Sequence, residues 1–367
     1  MLLTPGPTPV PEFVRVAMSG ETIHHRTPEF ESIFGKTREL LIELFGMEDA
    51  VMLVSSGTGA MEACVTSFTG QKALTINSGK FGERFGKICD AYKIPKVELK
   101  YEWDTPSSVE DVVSAIQANP DIDAVFIQIC ESAGGLRHPV EEIAKAVKAL
   151  NPNIMIVADG ITAIGVEKID ITNLDAVITG SQKALMLPPG LAMVGLSKEA
   201  IKRLEVNAKG YYLNLYTELK KQRENTTAWT AATTLTMGLQ AILEHIKATG
   251  YDKLYANTAS RAKATREALT AIGLSIYPKS PADSMTTIFS EHTGKIRKIL
   301  KEEFDVNIAG GQDHLKGKIF RINHMGLVSD YEAAWAVNAV ELALDKIGVR
   351  KFDGTANTVF NKTYFGI

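Results

Sequence analysis

Short apolar runs alternate with helical repeats along the first two thirds of the chain. Compact, largely aliphatic stretches at Ala50–Val54, Ala73–Asn77, Lys96–Leu99, Ala124–Ile129, Ile154–Ala158, Ala176–Thr179 and Ala192–Leu196 read as strands. Between several of them, apolar residues recur at helical spacing. In Val109–Ala118, Val112, Val113 and Ile116 share one face, and Pro139–Leu150 repeats the pattern. Strands separated by helices imply an α/β fold whose mostly parallel, seven-stranded sheet is covered by helices on both faces.

The pattern changes near Ala228. From there to Ile272 the chain reads as long helices, including the run Trp229–Lys247. A shorter α+β alternation follows: strand Ser275–Tyr277, strand Met285–Ser290, helix Gly294–Glu303, strand Lys318–Ile322 and helix Asp330–Ile347. The expected organisation is an N-terminal segment over residues 1–15, a large domain over 16–245 and a smaller α+β domain over 246–367. The stretch after Lys351 carries no clear pattern and is expected to be poorly ordered.

Composition narrows the functional classes. The 367 residues are 45% hydrophobic and 23% charged, as in ordinary globular proteins, and the net charge of −3 offers no basic footprint for nucleic acid or an anionic membrane. No apolar run approaches the roughly 20 residues of a membrane helix. Cys64, Cys89 and Cys130 are scattered without zinc-type or CxxC spacing, so no metal site is expected and reduced thiols are. With no basic, apolar leader pattern before the prolines of MLLTPGPTPVP, the expected compartment is the cytoplasm.

Candidate chemistry begins at Thr179–Leu191, TGSQKALMLPPGL, which sets Lys183 just past a strand and before a Pro-Pro-Gly turn. A lysine held there suits a nucleophilic amine, and pyridoxal phosphate is the commonest partner for a Schiff-base lysine. That cofactor needs three further groups. The turn Ser55-Ser56-Gly57-Thr58-Gly59-Ala60, between a strand and a helix beginning near Ala60, offers an anion cradle, with hydroxyls from Ser56 and Thr58. A capping turn is the competing reading. Asp159 closes the apolar strand Ile154–Ala158 at the sheet edge where ligands bind, and suits a pyridine nitrogen; a turn aspartate is the alternative. Phe81, between Gly79 and Gly82, offers a flat face, its glycines read as leaving room for a ligand; a ring buried in the core is the alternative. Arg321, inside the apolar strand segment Ile319–Asn323, offers a fork for a substrate carboxylate, or else an internal ion pair.

Taken in order, TPGPT, SSGTGAME, GKFGER and GSQKAL…PPG resemble the class V aminotransferases of pyridoxal phosphate fold type I. The resemblance is nearest to the alanine–glyoxylate, serine–pyruvate and 2-aminoethylphosphonate–pyruvate branch. It covers nearly the whole chain, from Leu3 to the strand at Phe320-Arg321-Ile322. It implies that Lys183 is catalytic, that Asp159 pairs with the pyridinium and that Phe81 stacks on the ring. Ser56, Gly57, Thr58 and Gln182 would then contact the cofactor, with Ile161 beside them. Ser132 in ESAGG matches the family's ESST segment near the 3-hydroxyl. Gly6 and Arg321 would meet the substrate. Thr226 matches a position from which a second subunit reaches the phosphate, which implies a homodimer with shared active sites.

The segments Asp159-Gly160-Ile161-Thr162 and Arg223–Trp229 depart from the common family versions, and His24-His25-Arg26 is read either as bordering the entrance or as a solvated loop. The implied reaction is ping-pong transfer of an amino group from a small amino acid to a small 2-oxo acid. Three rivals are weighed. A cysteine desulfurase would carry His where Gln182 stands. A non-catalytic subunit of a larger complex, such as a soluble hydrogenase, would not need the cofactor groups. A nicotinamide dehydrogenase would need a GxGxxG after an early strand, which is missing.

Overall fold

A computed structural model describes residues 1–367. Its centre is a seven-stranded sheet in the order Asp49–Val54, Leu191–Leu196, Ala176–Gly180, Met155–Asp159, Ile122–Gln128, Lys72–Asn77, Lys96–Lys100. Leu191–Leu196 runs antiparallel to both of its neighbours and the remaining pairs are parallel. The central strands are apolar throughout because both faces are covered. Ile156 and Ala158 join one apolar cluster, of 39 residues, while Met155 and Val157 join another, of 26.

A second, five-stranded sheet runs in the order Leu2–Leu3, Asn307–Gly310, Ile319–Asn323, Met285–Phe289, Ser275–Ile276. It packs on helices Tyr251–Ala271, Thr293–Phe304 and Asp330–Lys346 around a 22-residue cluster that includes Phe320, Ile322 and Val340. Its outermost strand comes from the other end of the chain. Leu2–Leu3 pairs in parallel with Asn307 and Ile308, and the N-terminal ammonium is 2.8 Å from the Asp305 carboxylate. Residues 4–11 then cross to the lysine turn of the large sheet.

Three expectations from the sequence need correction. The stretch after Lys351 is not irregular: Thr355–Phe365 is a helix that packs on Tyr251–Ala271, with Ala356 and Phe360 fully buried. The helix placed at Trp229–Lys247 begins only at Thr233; the Trp229 carbonyl accepts from the Thr227 hydroxyl, and its indole N–H is turned to the Tyr212 carbonyl, 3.0 Å away. The helix after the Ser55–Gly59 turn begins at Gly57 rather than near Ala60.

Candidate active site

The carboxyl ends of four parallel strands converge on one region. Val54 leads into Ser55 and Ser56, Asn77 into Gly79 and Phe81, Met155–Asp159 ends on Asp159, and Ala176–Gly180 leads into the turn that holds Lys183. This is the edge at which an open α/β sheet binds its ligands.

Lys183 is half-buried, and its Nζ donates to the Pro5 carbonyl at 2.5 Å. Burial pushes its ammonium down to about 8; the charge of Arg321 adds to this and the charge of Asp159 opposes it. The N-terminal segment clasps the same turn at two further points: Thr8 Oγ1 donates to the Lys183 carbonyl at 2.6 Å and Thr8 N to the Gln182 carbonyl at 3.1 Å. Gly6 lies directly over the amine. A Cβ there would fall 2.4 Å from Nζ, and φ is +103°.

Asp159 is 4% exposed, and a single donor, Ile161 N at 3.0 Å, reaches its carboxylate. Burial pushes it up to about 6, while that amide and the fields of Arg84 and Lys183 pull the other way. A buried carboxylate with one neutral partner is under-satisfied, so the site fits a cationic N–H ligand there. Ile161 also reaches the helix Gly57–Phe68: a Cβ on Gly57 would stand 2.3 Å from its Cδ1. The first amides of that helix have no intrahelical acceptor, and Ser56 gives no side-chain cap. Ser56 is exposed. An uncapped helix end with free backbone amides fits an anion such as a phosphate.

Phe81 is the second residue of helix Lys80–Ala91, and Arg84, one turn on, stacks its guanidinium on the ring at 4.7 Å. Arg84 Nη1 also donates to Thr58 Oγ1 at 2.7 Å, so it joins the ring to the helix-end turn. The glycines around Phe81 have a cause other than the ligand approach expected from the sequence. A Cβ on Gly79 would meet the Glu131 side chain at 2.4 Å, and one on Gly82 would meet the Ile76 carbonyl at 2.5 Å. Glu131 is fully buried. Burial pushes it up to about 7, against hydrogen bonds from the amides of Ala133, Gly82 and Phe81.

Arg321, 8% exposed, donates to the Ser132 carbonyl at 2.6 Å and to the Gly310 carbonyl at 2.7 Å; burial lowers it to about 10. It forms none of the internal ion pairs weighed from the sequence. Its fork stays cationic between two neutral carbonyls, with donors left for a carboxylate. Thr226 stands apart. Its hydroxyl accepts from Arg26 Nη1 at 2.5 Å, which ties the His24–Arg26 segment to the Thr226 loop rather than to Lys183. A cavity of about 490 Å³ beside Glu62, Tyr92 and Tyr211 holds none of these site residues.

Arg84, Glu131, Pro5 and Thr8 were not anticipated as parts of this site. Arg84 had a signal, since it lies one helical turn from Phe81 in GKFGER. Glu131 had the same signal as Asp159, an acid directly past an apolar strand. No helix is long and apolar enough to cross a membrane.

Residues 12–324 match the family model for aminotransferase class-V. An uncharacterized aminotransferase of Helicobacter pylori (strain ATCC 700392 / 26695) is 51% identical over the whole of both chains. The serine–glyoxylate aminotransferase of Hyphomicrobium methylovorum is 30% identical over 95% of this chain and 90% of its own. Among solved structures, the subgroup IV aspartate aminotransferase from Thermus thermophilus superposes with a TM-score of 0.88 at 32% identity, covering 94% of this chain and 99% of its own.

Proposed function

From the premise that the chain belongs to the class V aminotransferases, we propose that it transfers an amino group from a small amino acid to a small 2-oxo acid, using pyridoxal phosphate. One observation carries the reading. Lys183, half-buried, and Asp159, buried, lie at neighbouring strand ends with no counter-ion of their own, and each is an ordinary partner for one end of that cofactor's ring.

When bound, pyridoxal phosphate supplies an aldehyde for the amines and a ring that takes up the electrons of a broken Cα–H bond. The protein's residues do the rest. Asp159, buried and anionic, holds a proton on the pyridine nitrogen. The Gly57–Phe68 helix end, with Ser56, Thr58 and Gln182, takes the phosphate charge. Phe81 walls one ring face, with Ile161 and Ser132 at its edges. Arg321 orients the substrate carboxylate, and Gly6 leaves room beside it. Lys183, its amine pushed down to about 8, is neutral often enough near pH 7–8 to take a proton from Cα and return it.

The assembly we propose is a cytoplasmic homodimer in which Thr226 serves the site of a second copy. In support, Thr226 is tied to Arg26 and not to Lys183. The exposed Tyr212 also lies beside the helix-end turn, its hydroxyl 3.4 Å from the Val54 carbonyl. A donor–acceptor panel tests the proposal: alanine, serine, aspartate and an aminophosphonate against glyoxylate and pyruvate, each half-reaction read by cofactor absorbance. Bleaching by one small donor and recovery with one small oxo acid is the expected result. No response to any pair would overturn it.

A further inference from the structure

Glu131 has no part in the function proposed above, yet it holds one wall of the site directly, and the next residue, Ser132, holds the other. We propose that Glu131 is a positioning residue that fixes the Phe81 ring relative to Arg321, and so the distance between the cofactor's ring and the substrate carboxylate. The proposal rests on the roles given above to Phe81 and Arg321.

The geometry is specific on the ring side. Glu131 Oε2 accepts from Phe81 N at 2.9 Å and from Gly82 N at 2.8 Å, and Oε1 accepts from Ala133 N at 2.9 Å. Phe81 and Gly82 lie in the first turn of helix Lys80–Ala91, where amides have no intrahelical acceptor and the positive end of the helix attracts an anion. A fully buried carboxylate is stable only with such compensation. It therefore sets the axial position of the helix that presents Phe81 and, one turn on, Arg84. Gly79 leaves it space, since a Cβ there would fall 2.4 Å from both Cγ and Cδ of Glu131.

The second wall is attached one residue along. Ser132, next in the chain, accepts from Arg321 Nη1 through its carbonyl at 2.6 Å, and the negative charge of Glu131 favours the guanidinium. Residues 131–133 thus take hydrogen bonds from the ring-wall helix and from the arginine strand Ile319–Asn323 together. A loop so tied cannot shift toward one wall without pulling on the other.

Glutamine separates positioning from simple bulk. It matches the size of Glu131, but its amide NH2 would face at least one of three backbone N–H donors, so a hydrogen bond must be lost. For Glu131→Gln in the cofactor-loaded enzyme, the expected result is a KM for the amino donor raised about tenfold, with kcat changed several-fold less and the cofactor's visible absorbance band shifted. Glu131→Asp, which keeps the charge on a shorter arm, is expected to fall between. Gly79→Ala presses on the same carboxylate and is expected to reproduce the KM change; it also serves if Glu131→Gln fails to fold. A lower Tm with KM and absorbance unchanged in both Glu131→Gln and Gly79→Ala would overturn the proposal. Phe81→Ala and Arg321→Lys, measured alongside, keep the two levels apart. If they change neither spectrum nor KM, the site assignment itself fails. If they do and the Glu131 variants do not, only the positioning role fails.

Discussion

The Nζ of Lys183 donates to the carbonyl of Pro5 at 2.5 Å, across 178 residues of sequence. The segment that brings Pro5 there begins as an edge strand of the smaller sheet, at Leu2–Leu3, and is pinned by Thr8 on the far side of the lysine. The amine is therefore roofed by a strap anchored at both ends, and Gly6 is the point where any Cβ would collide with it.

Gly6→Ala should disable the site without unfolding the protein. Its methyl would stand 2.4 Å from Nζ, and φ of +103° is poor for any residue with a Cβ. We expect at least a tenfold loss of kcat/KM, or about 1.4 kcal/mol of transition-state stabilisation. Gly250→Ala is the control: φ there is +88° with nothing within 4 Å, so it should cost about 1 kcal/mol of stability and leave kcat/KM intact.

The Lys183 amine should titrate far below an ordinary lysine in cofactor-free protein. Burial and the Arg321 charge lower it to about 8, so near pH 8 about half of it is neutral, against well under one per cent at 10.5. Reductive methylation of Lys183, followed by mass spectrometry across pH, should show a midpoint near 8. Arg321→Met should move that midpoint up and Asp159→Asn should move it down, since Arg321 opposes the charge and Asp159 favours it.

Asp159→Asn should trade activity for stability. The folded carboxylate sits at about 6, above its ordinary 3.8, so between those values the folded state binds more protons than the unfolded state. Stability of the cofactor-free protein therefore falls as pH rises through that window, and the full penalty, of order 1–3 kcal/mol, applies above pH 6. Cofactor-free Asp159→Asn should melt higher than wild type at pH 7.5, with the gap closing toward pH 4. Its kcat should fall about a hundredfold once loaded, since the partner proposed for the pyridine nitrogen is gone.

Phe360→Ala tests whether the C-terminal helix is integral to the smaller sheet's core. Phe360 is fully buried, so urea unfolding should show a loss of about 3–5 kcal/mol. A change within 0.5 kcal/mol would mean that the helix is only an attachment.

What the sequence revealed followed from burial. All seven strands of the large sheet lie within two residues of their expected limits, because runs such as Met155–Ala158 are apolar on both faces and leave no ambiguity of period. Thr355–Phe365 was missed because only Ala356 and Phe360 are fully buried on it, too narrow a stripe to stand out among its polar residues. Leu2–Leu3 is two residues long and exists only through its partner Asn307–Gly310. In the site, Lys183 and Asp159 were legible as polar groups directly past apolar strands. Glu131 has the same placement, but its role depends on where helix Lys80–Ala91 starts in space, which no local pattern encodes. The glycines beside Phe81 misled for the same reason: they answer to Glu131 and to the strand Lys72–Asn77.

The most direct test is a titration of pyridoxal phosphate into purified wild-type protein and Lys183→Ala, followed by addition of a small amino acid and then a small 2-oxo acid. Wild type should show a visible absorbance band that borohydride fixes to Lys183, that the amino acid bleaches and that the oxo acid restores. Lys183→Ala should show no such cycle. A wild-type protein that stays colourless, or a Lys183→Ala variant that turns over as wild type does, would contradict the proposed transamination.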